Sequence, residues 1–141
     1  MQDASKVVMG ANLSTAKEVD SYKGAIEAGL VVRQKSDGTL SLAKADGGIL
    51  GVSLGKDLSD AGFCPIVRKG LLVPVLLTAS FTPVDGTAVA ISDTTGMAKA
   101  YTGTGDSYVN AVYASGPLNA VKEDGTILAG GAALIDMVGG L

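Results

Sequence analysis

The chain has no histidine and no tryptophan, one cysteine, two phenylalanines and four prolines in 141 residues. Each scarcity removes a class of function. Without imidazole, a Ser-His-Asp or Cys-His nucleophile cannot be assembled, and zinc loses its commonest ligand while the lone Cys64 cannot replace it. One cysteine also forbids an intrachain disulfide. Aromatics at 4% leave little to stack on bases or sugar rings. Basic residues are scattered, with only Arg68 and Lys69 adjacent, and the formal charge is -3. A nucleic-acid partner held through phosphates, or an anionic membrane surface, is therefore not expected.

What is present is small and apolar. Hydrophobic residues make up 47% of the chain, and the mean hydropathy is +0.36. Alanine and valine supply about half of that, and 20 glycines add to the small residues. A single small domain keeps much of its chain near the surface, so a sequence this apolar is expected to cover some of it by self-association, a dimer before a trimer. The N-terminal Met1-Gln-Asp-Ala-Ser-Lys6 is polar and no secretory signal follows. The apolar 127–141 stretch carries Asp136 and is too short to span a bilayer. The expectation is a protein made and used without export.

Short apolar runs broken by glycine turns dominate the pattern. Leu30–Gln34 and Thr39–Leu42 flank Ser36-Asp37-Gly38, a β-hairpin signature in which glycine supplies positive φ. Asp46-Gly47, Asp85-Gly86-Thr87 and Asp124-Gly125-Thr126 repeat the device. Most aspartates serve turns and not an acidic site. Further strands are predicted at Phe63–Arg68, Leu71–Leu77, Ala88–Ile91, Met97–Tyr101, Val109–Ala114 and Ala132–Val138. Pro65 and Pro74 mark edges, bulges or run boundaries. Leu50-Gly-Val-Ser-Leu54 alternates as a half-buried strand with Gly51 and Ser53 outward. Thr15-Ala-Lys-Glu18 has capping-box spacing, compatible with one short helical turn before Gly24. The predicted fold is all-β: a small antiparallel β-barrel or jelly-roll-like sandwich over 23–141, with an extended N-terminal arm over 1–22.

Gly51-Val-Ser53-Leu-Gly55 fits the nucleophile-elbow pattern, but no histidine exists to take the serine proton; only Lys44 or Lys56 could act as a base. Asp57 with Asp60, and Glu123 with Asp124, are isolated pairs that fall short of a calcium loop. Gly103-Thr-Gly105 lacks the remaining residues of a phosphate-binding loop. Cys64 reads as a small buried hydrophobe. Met97-Ala-Lys99-Ala100 is similar to the hairpin lysine of swinging-arm carriers but lacks the flanking pattern of either the biotinyl or the lipoyl kind. No enzyme activity, cofactor or metal is expected. The alternative function is a stand-alone adhesive or carbohydrate-binding β-domain, for which the exposed aromatics are scarce.

Three segments carry a family resemblance: Tyr22-Lys-Gly-Ala-Ile-Glu-Ala-Gly-Leu-Val-Val32, Gly38-Thr-Leu-Ser-Leu-Ala43 and Gly48-Ile-Leu-Gly-Val-Ser-Leu54. Val67-Arg-Lys-Gly70, Val84-Asp-Gly-Thr-Ala-Val89 and Ser92-Asp-Thr-Thr-Gly-Met97 continue it. Together they resemble the capsid cement and decoration (staple) proteins of tailed bacteriophages over roughly 22–101. The resemblance implies a β-barrel or jelly-roll-like protein on the outer face of the virion. There it would bridge major capsid protein subunits and self-associate near symmetry axes. The family has no catalytic residues to carry over, and this chain departs from it in its longer N-terminal segment. Expected inter-subunit contacts are Met9, Leu13, Val19 and Tyr22 in the arm, with Met137, Val138 and Leu141 at the C-terminus.

Overall fold

The computed structural model describes residues 6–9, 16–43, 49–55, 62–78, 82–91, 95–101 and 107–137. These hold ten strands and no helix: β1 (Lys6–Val8), β2 (Ala16–Lys23), β3 (Val31–Gln34), β4 (Leu40–Leu42), β5 (Gly51–Ser53), β6 (Phe63–Leu76), β7 (Ala88–Ile91), β8 (Lys99–Ala100), β9 (Ser107–Val121) and β10 (Ile127–Met137). They form one curled half-barrel sheet in the order β4-β3-β5-β6-β10-β9-β7-β8. β2 adds to β6, and β1 adds to β9 as the one parallel pair among the named strands, with a single parallel bridge, Leu77 to Ala98, outside them. The all-β fold class read from the turn spacing is the one found.

The main core is a stripe of modest side chains taken from successive strands. Val31, Val52, Val67, Val73 and Val75 continue through Ala133, Ile135 and Met137 to Tyr113, Val89 and Ile91. Period-2 alternation selects one residue in two from each strand, and small residues let the sheet curl tightly around them. Two smaller clusters lie elsewhere in the fold: Met9, Ala28, Leu30, Leu76, Ala120 and Ala132 in one, and Val32, Leu40, Cys64 and Ile66 in the other.

The predicted β3–β4 hairpin is present, with Val32 opposite Leu42. Its turn is repeated at the β9–β10 tip. In Lys35-Ser-Asp-Gly-Thr39 and Lys122-Glu-Asp-Gly-Thr126 the lysine N–H donates to the threonine carbonyl at 2.8 Å in both. The glycine N–H donates back to the lysine carbonyl at 2.9 Å in both, and the glycine φ values are 88° and 87°. Asp37 Oδ1 accepts the Thr39 N–H at 3.0 Å, and Asp124 Oδ1 accepts that of Thr126 at 2.9 Å. The third Asp-Gly-Thr is wired differently: the Gly86 N–H donates to Tyr113 O and the Thr87 N–H to Val84 O. A shared tripeptide thus makes two hairpin turns and one turn that is not a hairpin.

Hydrogen bonds from Thr39 and from Thr126 hold the Asp37 and Asp124 carboxyls below the usual aspartate range. A depressed folded-state pKa contributes stability above the unfolded value, and that stability is lost as pH falls through the folded one. D37N/D124N should therefore show a shallower loss of stability than the parent below about pH 4. Urea midpoints measured down the acid limb check this; parallel slopes would contradict it.

Three local expectations are corrected. Residues 16–23 form β2 and not a helical turn, because Val19 to Lys23 pair in unbroken register with Val67 to Phe63 of β6. That long-range ladder outweighs a capping-box spacing of low intrinsic strength. The runs 63–68 and 71–77 are joined in one strand, β6, through a bulge. Ile135 faces Val73 but Met137 faces Gly70, so β6 carries one extra residue there. Leu72 adopts φ 53°, and its N–H donates to Asp136 Oδ1 at 2.9 Å. Gly51 and Ser53 are buried, not outward, since β5 is covered on both faces.

Pro74 interrupts no ladder in β6. The Leu76 N–H donates to Gly29 O and the Leu77 N–H to Gly131 O, so alternate residues address opposite sides. Pro74, in step with Leu76, points its nitrogen away from β10. The Pro65 carbonyl accepts from the Leu54 N–H at 3.0 Å. As for the arm expected over 1–22, its described parts are strands of the same sheet: β1 lies along Asn119–Val121 and β2 along Phe63–Gly70.

Candidate interaction surface

Among the described residues, the candidate side chains Ser53, Cys64 and Glu123 help hold the fold. Ser53 is 1% exposed. Its hydroxyl donates to Ile26 O and accepts from the Gly55 N–H, both at 3.0 Å. It clips the segment after β2 to the end of β5, and no helix follows it among the described residues. Lys44 and Lys56 lie outside the described residues. Ser53→Ala removes the hydroxyl and leaves the Ile26 carbonyl and the Gly55 N–H without that partner, which should cost about 1–3 kcal/mol, read as a lower urea midpoint; an unchanged midpoint would assign the clip no weight.

Cys64 plays a similar part on β6. Its buried sulfur accepts the Ile26 N–H at 3.1 Å and its thiol donates to Gly24 O at 3.2 Å. Glu123, at the β9–β10 tip, accepts the Ala28 N–H at 3.0 Å, and neighbouring Lys122 pairs with Glu27 at 2.8 Å. Both tie that tip to the loop between β2 and β3. Lys99 lies within β8 opposite Ala90, and its carbonyl accepts the Tyr113 hydroxyl at 2.8 Å. Asp57, Asp60 and Gly103–Gly105 lie outside the described residues. Among those described, no group of three His, Cys, Asp or Glu side chains is placed to hold a metal ion.

What the surface offers is apolar. Leu71 and Leu72 project from the β6 bulge at 42% and 40% exposure. Val8, Val121 and Ile127 stand opposite one another across β1, β9 and β10, with Val8 and Ile127 more than half exposed. Val84 and Tyr101 are exposed near the start of β7, where the Tyr101 N–H donates to Ala88 O. Single exposed aliphatics are ordinary. An adjacent leucine pair, one residue of it in left-handed geometry, is not.

The expected contact residues fall into three groups. Val19 is exposed and Tyr22 is half-buried on β2. Met9 and Met137 are buried in the chain's own core, at 5% and 0%. As the strands now pair, neither offers its side chain to a neighbour. Leu13, Val138 and Leu141 lie outside the described residues. The Met137 placement was legible, since polar Asp136 between Ile135 and Met137 marks the two apolar residues as inward. The leucine pair was not, because a bulge inside an apolar run leaves no mark in composition.

No family model matches the chain, and no curated protein matches it. Among solved structures, a chain in the capsid of Myoviridae phage XM1 matches with a TM-score of 0.68 and 16% identity. The match covers 100% of this chain and 96% of that one. At that identity the likeness is one of fold, and the fold is shared end to end.

Proposed function

We propose that this protein is a virion structural protein that binds the outer surface of a phage capsid and clamps neighbouring major capsid protein subunits, stabilising the shell against internal genome pressure. The observation that carries this reading is the end-to-end fold correspondence with a chain of a phage capsid. The cement-like motifs at 22–101 and the exposed leucine pair support it. A rigid curled sheet keeps its contact points at fixed separation. Many modest contacts, repeated around a closed lattice, then hold through avidity, since each attachment raises the effective concentration of the next. Self-association, as a dimer before a trimer, would place two such sheets across neighbouring capsomers.

Purified protein added to shells that lack it should co-sediment at close to one copy per shell subunit and raise the temperature at which the particles release their genome. L71D/L72D should bind at least about tenfold more weakly, or 1.4 kcal/mol, with its own unfolding midpoint little changed. Binding to immobilised glycans with no affinity for shells would overturn the reading in favour of an adhesive or carbohydrate-binding domain.

A further inference from the structure

The first described strand has the features of an exchangeable plug. β1 is three residues long and makes the only parallel pairing to a named strand among the described residues, with Lys6, Val7 and Val8 opposite Asn119, Ala120 and Val121. The Met9 N–H closes it onto Val121 O at 3.0 Å. Val7 and Met9 turn inward and Val8 outward. Met9 fills a hole that exists because residue 29 is glycine: a Cβ there would overlap the Met9 methyl group. Ala28, Leu30, Leu76, Ala120 and Ala132 complete the walls. Every one of these partners is at least 19 residues away in sequence, so the groove makes the same contacts whichever chain supplies the strand. Residues 10–15, Gly-Ala-Asn-Leu-Ser-Thr, contain no proline, and the seven steps from Met9 to Ala16 can reach about 25 Å when extended.

The geometry points to strand exchange: the groove along β9 accepts β1 and Met9 from a second copy of this chain. An identical element traded between protomers keeps every native contact and needs only local opening of a short edge strand. In the exchanged form Met9 is at once a core residue and an inter-subunit contact. This inference concerns self-association alone and does not depend on the capsid reading.

The test follows the strand by thiol chemistry. Val8 and Val121 are register partners at a solvent-facing position, within disulfide reach in a sheet. V8C and a V121C chain enlarged by a tag are unfolded together, refolded at rising protein concentration and oxidised. Exchange gives a disulfide-linked pair of unequal chains whose yield grows with concentration. It should exceed several-fold the background from V8C mixed with S36C, whose turn pairs with neither β1 nor β9. Yield no higher than that background at every concentration overturns the inference. In a separate measurement, the double variant V8C/V121C oxidised at high concentration should run largely as linked dimer; a purely monomeric product overturns it equally.

Discussion

Gly51→Val should unfold the protein, or lower its Tm by more than about 12 °C. Gly51 sits in β5 between Val32 of β3 and the Val67 region of β6. A Cβ there would overlap the Val67 carbonyl oxygen and lie 2.8 Å from Ile66 Cγ2. The oxygen is backbone, so no rotamer change relieves the overlap; the sheet itself must part. Parting it separates β3, β4 and β5 from β6 and opens the main core at Val31, Val52 and Val67. Forced overpacking of a well-filled core costs about 1–3 kcal/mol, and breaking backbone pairing as well should carry this variant beyond about 4 kcal/mol. Thermal melts followed by far-UV circular dichroism check the prediction, and a variant melting within a few degrees of the parent would refute it. Gly38→Ala is the comparison: nothing lies within 4 Å of its Cβ, so its cost comes from positive φ alone and should stay near 1 kcal/mol.

Tyr113→Ala should cost about 3–5 kcal/mol, the range for deleting a buried aromatic. Tyr113 is the largest fully buried side chain among the described residues and lies in the main cluster with β7 and β10 residues. Its hydroxyl reaches past β7 to the Lys99 carbonyl of β8, fastening the edge strand of the sheet. Burial pushes the phenol well above its ordinary range, so it stays protonated and donating throughout the accessible pH. Tyr113→Phe keeps the ring and should cost only about 0.5–1.5 kcal/mol. The loss should fall chiefly on β8, seen as faster amide exchange near Lys99 and Ala100. Equal losses in the two variants would mean that the hydroxyl, and not the ring, carries the site.

The elements that the sequence made legible are those governed by local rules. Alternation and Asp-Gly turns located β3, β4 and β7, and the absence of histidine and tryptophan shaped the expected function. The predicted 132–138 strand coincides with the end of the longer β10 up to Met137, with Val138 outside the described residues, and Val109–Ala114 falls within the longer β9. Apolar character concentrated in small residues anticipated apolar surface to spare, such as Leu71, Leu72, Val8 and Ile127.

What failed was decided at a distance. Residues 16–23 carry a helix-start signal and still form a strand, because β6 presents them with a full ladder. Ser53 looked outward by alternation alone, yet the Ile26 carbonyl arrives from a distant part of the chain and, with the nearby Gly55 N–H, satisfies its hydroxyl. Met9 looked like an arm residue because nothing near it in sequence shows that Gly29 leaves a hole of its size. The leucine pair at 71–72 became surface only through a register shift set by β10 and pinned by Asp136. By itself the sequence determined the class of fold, the hairpin turns at 35–39 and 122–126 and the lack of any imidazole or second thiol, since these follow from side-chain type and near-neighbour spacing. Tertiary structure alone decided which apolar residues are core and which are surface, because one added residue in a paired strand reverses the sides of all that follow.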